Sequence, residues 1–265
     1  MKQRTLPKRA PKTLAQADAI LSKIGIFNNS YFEALRNGSM TLKSFQKTQE
    51  QFYFAVVFFA RPMAALAARF PDPTTRLDIL HNVVEEHGDF DQKKFHATTF
   101  QTFLKSIGSN PNNLQKLALW PELRAFNSTL TTACLLDEVE TGIGCMGMIE
   151  YAFAEISAII GKAVVKRGWV KSKDLVHYKL HSKIDKRHAE EFFVLVEPAW
   201  KDKSRYCLVE QGLELGAYIF DRLYHDLYQK AVDSKRVIPD LYLSRRYSQE
   251  GGSQQKAGLL THECE

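Results

Sequence analysis

Cysteine is scarce in this chain and unpatterned. Cys134, Cys145, Cys207 and Cys264 are its four in 265 residues, with no CxxC pair and no zinc-finger spacing. That excludes a disulfide framework and a thiolate metal site, and it fits reduced thiols in a cytosol. Long apolar runs are also missing, since the most apolar stretch, FYFAVVFFARPMAALAA at 52–68, is interrupted by Arg61 and Pro62. A membrane span needs about 20 predominantly apolar residues, so this stretch reads as a buried helix and no span is expected. The start, MKQRTLPKRAPKT, is basic without an apolar segment, so it is not a secretory signal, and a cytoplasmic protein is expected. No internal repeat and no Pro/Gly-rich linker divides the middle of the chain, which predicts one domain.

What is present is charge, apolar periodicity and histidine. The formal net charge of +6 is concentrated in two places, Lys2, Arg4, Lys8, Arg9 and Lys12 near the start and Lys162, Lys166, Arg167, Lys171 and Lys173 around one turn. Neither cluster is interleaved with aromatic residues or sits in a nucleic-acid module, so no nucleic-acid partner is expected. Hydrophobic residues make up 45% of the chain, enough for a sizeable core.

Helical periodicity dominates. TLAQADAILSKIGIF carries apolar residues at Leu14, Ala17, Ile20, Leu21 and Ile24, the spacing of an amphipathic helix. A short helix through YFEALRNG is stopped by Gly38, and Thr41 caps a long helix over about 42–70 with Pro62 as a kink point. Further helices are predicted at 75–87 and 92–107 around the turn GDFD, then at 121–136, 137–167, 172–197 and 204–232. The 137–167 segment is apolar nearly all round, which marks a central helix, and Gly142, Gly144 and Gly147 permit close approach of a neighbour. The fold class is all-α: one helical bundle of about seven or eight core helices over residues 13–247, between a basic flexible tail at 1–12 and a tail of linker composition at 248–265.

The chemistry lies in HSKIDKRH. His181, Asp185 and His188 are spaced by 4 and 3, so on a helix they fall within about 60° of arc. Imidazole with carboxylate is a donor set that non-haem iron favours. Elsewhere Glu86 ends one helix, His96 opens the next, and Glu150 sits among apolar neighbours in GCMGMIEYAF, where an unpaired carboxylate is expensive to bury. Glu85 competes with Glu86, and Glu155 with Glu150. Each residue alone has a plainer reading, a solvated helix end for Glu86 and His96 and an ordinary buried ion pair for Glu150. His177, one turn before His181, reads as a supporting donor or a solvent-facing residue; His81, His87, His225 and His262 have no partners at ligand spacing. The ferritin-like pattern needs ExxH pairs, and the chain contains none.

EEHG around Glu86, His96 ten residues on, the isolated Glu150 and HSKIDKRH thirty residues further resemble, in order and spacing, the haem-oxygenase-like di-iron oxidases and oxygenases, relatives in fold of TENA/PqqC-like and CADD-like proteins. The resemblance covers about 30–232. It implies that Glu86, His96, Glu150, His181, Asp185 and His188 hold two iron ions, with O2 as co-substrate and a small molecule, amino-acid, amine or fatty-acid-like, as the substrate oxidised. An external reductant and a homodimer are compatible with it. Activities in that family include oxidative cleavage of fatty acids and amino acids, N-oxygenation and self-sacrificing synthesis of an aromatic acid. Nitrogen-oxygenating members often carry another carboxylate in the preceding helix, and QFYFAVVFFA has none. Haem degradation is disfavoured, because haem oxygenases use an axial His in an early helix and TLAQADAILSKIGIF has none. Two other readings remain open: a cofactor-independent oxidase or hydrolase like PqqC and TENA, and an interaction protein with a vestigial metal site.

Overall fold

A computed structural model of the chain describes residues 10–233. Among them are nine α-helices and no strand: α1 (Pro11–Ile24), α2 (Ser30–Asn37), α3 (Leu42–Ala68), α4 (Pro73–Glu86), α5 (His96–Ser106), α6 (Pro121–Leu135), α7 (Val139–Lys166), α8 (Val176–Val196) and α9 (Tyr206–Val232). All nine lie where the sequence pattern puts them, and the differences are at their ends. Asp72 accepts from the Thr75 amide, so Pro73 opens α4 at its first turn, two residues before the expected start at 75. Residues 92–94 and 172–174 are 3-10 turns ahead of α5 and α8. Thr41 caps α3 as expected, accepting from the Ser44 amide, and α3 continues through Pro62.

Pro11 and Lys12, which the sequence reading places in the basic tail, are the first residues of α1. Glu197 ties that end down from across the chain, accepting from the Lys12 amide at 3.1 Å, the Thr13 amide at 3.0 Å and the Thr13 hydroxyl at 2.7 Å. A carboxylate on free amides at a helix start also suits the helix dipole. The tail at 248–265 and the domain boundary at 247 lie outside the described residues.

Helix α7 is the axis of the bundle. Residues 141–150 are buried without a break, and α7 packs most extensively against α8 and α9. Glycines allow both approaches, Gly147 against the Phe192 and Phe193 side chains of α8 and others backbone to backbone with α9. A Cβ on Gly144 would lie 2.9 Å from the Val209 carbonyl oxygen of α9, and one on Gly216 would lie 2.5 Å from the Cys145 oxygen of α7. Helices α3, α6 and α9 close the next layer, and α4 and α5 lie against α3 and α8. By length and composition α3 and α7 could each cross a membrane. The α7 window is 78% buried by protein, and the partly buried Tyr53, Phe54, Phe58 and Phe59 of α3 pack against the same core.

Candidate metal centre

Four helix segments meet at one buried spot. Glu86 is the last residue of α4 and His96 the first of α5, so the connection between them fixes both. That connection is tight: Gly88, Asp89 and Phe90 all have left-handed backbone, with φ of 56°, 53° and 69°. A glycine is at home there, and the two side-chain-bearing residues are strained, as is common beside functional sites. Its result is a contact of 2.8 Å between Glu86 Oε1 and His96 Nδ1, both residues buried. Glu150 reaches the same place from the middle of α7, and α8 presents His181, Asp185 and His188 along one buried stripe.

One ligand atom each from Glu86, Glu150 and His188 can be chosen so that all lie within 4.8 Å of one another. The other three residues are packed around that cluster. His181 Nδ1 lies 2.8 Å from Asp185 Oδ1, and the His96 and His181 rings are 4.4 Å apart. His188 Nδ1 faces Glu150 Oε2 at 3.8 Å, too far for a direct hydrogen bond. Glu150 Oε1, His181 Nε2, Asp185 Oδ2 and His188 Nδ1 are buried without a hydrogen-bond partner. Four orphaned donor atoms at one spot is the arrangement cations fill, because native proteins rarely leave such atoms unpaired.

Electrostatics points the same way. Burial, then Asp185 beside it, pushes the Glu150 carboxyl up to about 7. Asp185 is pushed well above the usual carboxylate range, by burial first. Burial and then the neighbouring His96 pull His181 down to about 3. For His188 burial pulls down, yet Glu150 and Glu85 outweigh it and raise the imidazole to about 11. Burial works against Glu86 too, and His96 still holds its carboxyl low. Three carboxylates crowded away from water resist ionising together, and divalent cations among them would relieve that resistance. The donor set of three carboxylates and three imidazoles therefore fits iron.

The competitors separate. Glu155 is exposed on the far face of α7. Glu85 turns away from the cluster toward α8, where its Oε2 lies 2.8 Å from His188 Nε2 and both its oxygens accept from Arg187 Nη2, at 2.6 and 2.8 Å. His177 is fully buried, not solvent-facing. Thr99 donates to the His96 carbonyl, so its hydroxyl oxygen accepts from His177 Nδ1 at 3.0 Å. Nδ1 then carries the hydrogen, and the unpartnered Nε2 keeps its lone pair. Of the remaining histidines, His87 is exposed, His225 meets Ser30 at 3.2 Å, His81 lies beside Glu85 and His262 is outside the described residues.

A cavity of about 40 Å³ adjoins the cluster. Glu86, Glu150, His177 and His181 line it with apolar walls that include Phe52 and Phe59 of α3, Phe153 of α7 and Phe220 of α9; no Lys or Arg lines it. Phe52 and Phe59 belong to the aromatic run that the sequence assigns to core, and they serve as both core and wall.

Solved structures share this fold. A CADD-like protein of unknown function from Nostoc punctiforme superposes with a TM-score of 0.70 over 84% of this chain and 98% of its own, at 14% identity. A TenA homologue from Pseudomonas syringae gives 0.66 over 85% and 94%, also at 14%. In sequence, the 4-aminobenzoate synthase of Chlamydia trachomatis is 21% identical over 212 residues, 80% of this chain and 88% of that protein. The corresponding Nitrosomonas europaea enzyme is 21% identical over 195 residues, 69% and 77%. The family described as iron-containing redox enzyme matches residues 46–208, a span that holds the whole donor cluster and all three residues packed around it. By that match the chain belongs to the iron-containing redox enzyme family and is an iron-dependent oxidoreductase.

Proposed function

We propose that the chain is a non-haem di-iron oxidase or oxygenase that uses O2 to oxidise a small molecule whose reacting part is apolar. The observation that carries this reading is the apolar cavity beside the donor cluster, walled by aromatic rings and free of cationic side chains. Glu86, Glu150 and His188 would hold one part of the centre, and His96, His181 and Asp185 would complete it. Bound iron supplies the electron transfer that lets O2 react with a closed-shell organic molecule.

The chain's own residues do the rest. The phenylalanine walls exclude water from the donor cluster, which strengthens every charge interaction inside it. The bare His177 Nε2 accepts a hydrogen bond from an O–H or N–H of what enters the cavity. With room for about three waters at roughly 10–15 Å³ each, the cavity of about 40 Å³ takes O2 or a small apolar group. Relatives named 4-aminobenzoate synthase make that product the first to look for. A cytoplasmic setting is part of this reading, supported by the free thiols of Cys134, Cys145 and Cys207.

A metal-independent activity of the kind the TenA-like fold neighbours suggest would leave Glu86, Glu150 and Asp185 buried together for no purpose, at a cost of several kcal/mol per unrelieved charge. The test is O2 uptake by the chain loaded anaerobically with Fe(II). Uptake with a transient visible absorption, absent in His188→Ala, is the expected result; equal O2 uptake by iron-free and iron-loaded chain would refute the reading.

A further inference from the structure

Glu85 and Glu86 are neighbours on α4, and consecutive helix positions point about 100° apart. Glu86 faces the donor cluster, and Glu85 faces the other edge of the His188 ring. His188 therefore lies between two carboxylates, with Nδ1 toward Glu150 at 3.8 Å and Nε2 against Glu85 Oε2 at 2.8 Å. An ionised carboxylate only accepts, so Nε2 carries the hydrogen and Nδ1 is the nitrogen left to bind a cation. Glu85 is itself held: Arg187 Nη2 donates to both its oxygens, Arg187 Nη1 lies 3.6 Å from Glu191 of the next turn, and His81 Nδ1 is 3.3 Å from Glu85 Oε2.

We infer that Glu85, braced by Arg187, is a positioning residue that fixes the orientation and tautomer of His188 and thereby sets the affinity of the metal it holds. The inference rests on the di-iron reading above. Partners of this kind, one shell out from the metal, are worth 10–100-fold in affinity where they have been removed from other metal sites.

The test is an anaerobic titration with Co(II), a metal read by calorimetry and by its own visible absorption, so no turnover is needed. Wild-type chain takes two equivalents. Glu85→Ala takes two with one of them about 10–100-fold weaker, Glu85→Gln recovers most of the loss because its amide oxygen still accepts from Nε2, and Arg187→Ala shows a smaller loss of the same sign. Arg187 is about a third exposed, so its variant keeps the fold should Glu85→Ala lose it. Glu190→Ala, on the exposed face of α8, leaves both affinities unchanged. A purely structural role would lower the thermal midpoint of metal-free Glu85→Ala and leave both affinities at the wild-type values, and that overturns the inference. Outright loss of one equivalent in both Glu85 variants makes Glu85 a ligand and overturns it too. Wild-type chain that binds fewer than two equivalents overturns the di-iron reading itself.

Discussion

Helix α7 is pressed against α9 on one side and α8 on the other; both seams bury apolar side chains, with Gly147 against Phe192 and Phe193 of α8, and only the α8 seam adds a cluster of buried charge. Toward α9, Gly144 meets the Val209 carbonyl and Gly216 meets the Cys145 carbonyl, so backbone lies on backbone. Toward α8, Glu150 faces His188, with Asp185 and His181 beside them and several donor atoms unpaired. The first seam gains close packing, while the second, without metal, spends stability on desolvated charge.

Breaking the polar seam has the largest expected effect. His188→Ala removes a donor from the cluster and should abolish binding of at least one metal ion, read by iron content after anaerobic loading and desalting. Glu150→Gln should do the same to the metal and the reverse to the metal-free fold. A neutral amide replaces a carboxylate that burial disfavours, so the metal-free variant should gain about 1–2 kcal/mol at pH 8, measured by denaturant unfolding. A variant that gains stability while losing metal is a signature the α7–α9 seam cannot produce.

Breaking the glycine seam is the converse. Gly144→Val puts side-chain atoms where the α9 backbone runs and should cost about 3 kcal/mol, the upper end of overpacking penalties, with metal stoichiometry of the folded protein unchanged. Thermal unfolding with and without Co(II) separates the two quantities.

The smallest effect is in pH. Glu150, raised from 4.5 to about 7, and His188, raised from 6.5 to about 11, both hold protons more tightly in the metal-free fold than in the unfolded chain. For such groups stability falls as pH rises, across about 4.5–7 for Glu150 and 6.5–11 for His188. A bound metal ion would displace these protons. Binding at pH 8 should release the protons that His188 and the burial-raised Asp185 hold, and binding at pH 6 the Glu150 proton as well, so affinity drops more steeply below pH 7. Calorimetry in buffers of different ionisation enthalpy counts the protons, and Glu150→Gln removes the step at 7.

How much of this the sequence carried follows from distance along the chain. His181, Asp185 and His188 were legible because helix geometry alone brings them together. Glu86, His96 and Glu150 came through resemblance, since nothing local says that the end of α4, the start of α5 and the middle of α7 converge. The roles of Glu85 and Glu86 stayed open because they depend on how α4 is rotated against α8, which packing decides. Arg187 went unnoticed for the same reason, though it stands inside HSKIDKRH beside His188. His177 stayed open between a supporting donor and a solvent-facing residue, because its spacing gives a helix face without saying what covers that face. At the fold level, the misplaced helix start at Asp72–Pro73 had a readable signal, a capping Asp followed by Pro at the first helical position.

The most direct test of the central claim, that the polar seam between α7 and α8 is built for two metal ions, is an anaerobic Fe(II) titration of the metal-free chain with bound iron counted per chain. Two equivalents for wild type, falling to one or none in His188→Ala, is the result this account requires. One equivalent or none in the wild type, or an unchanged count in His188→Ala, would contradict it.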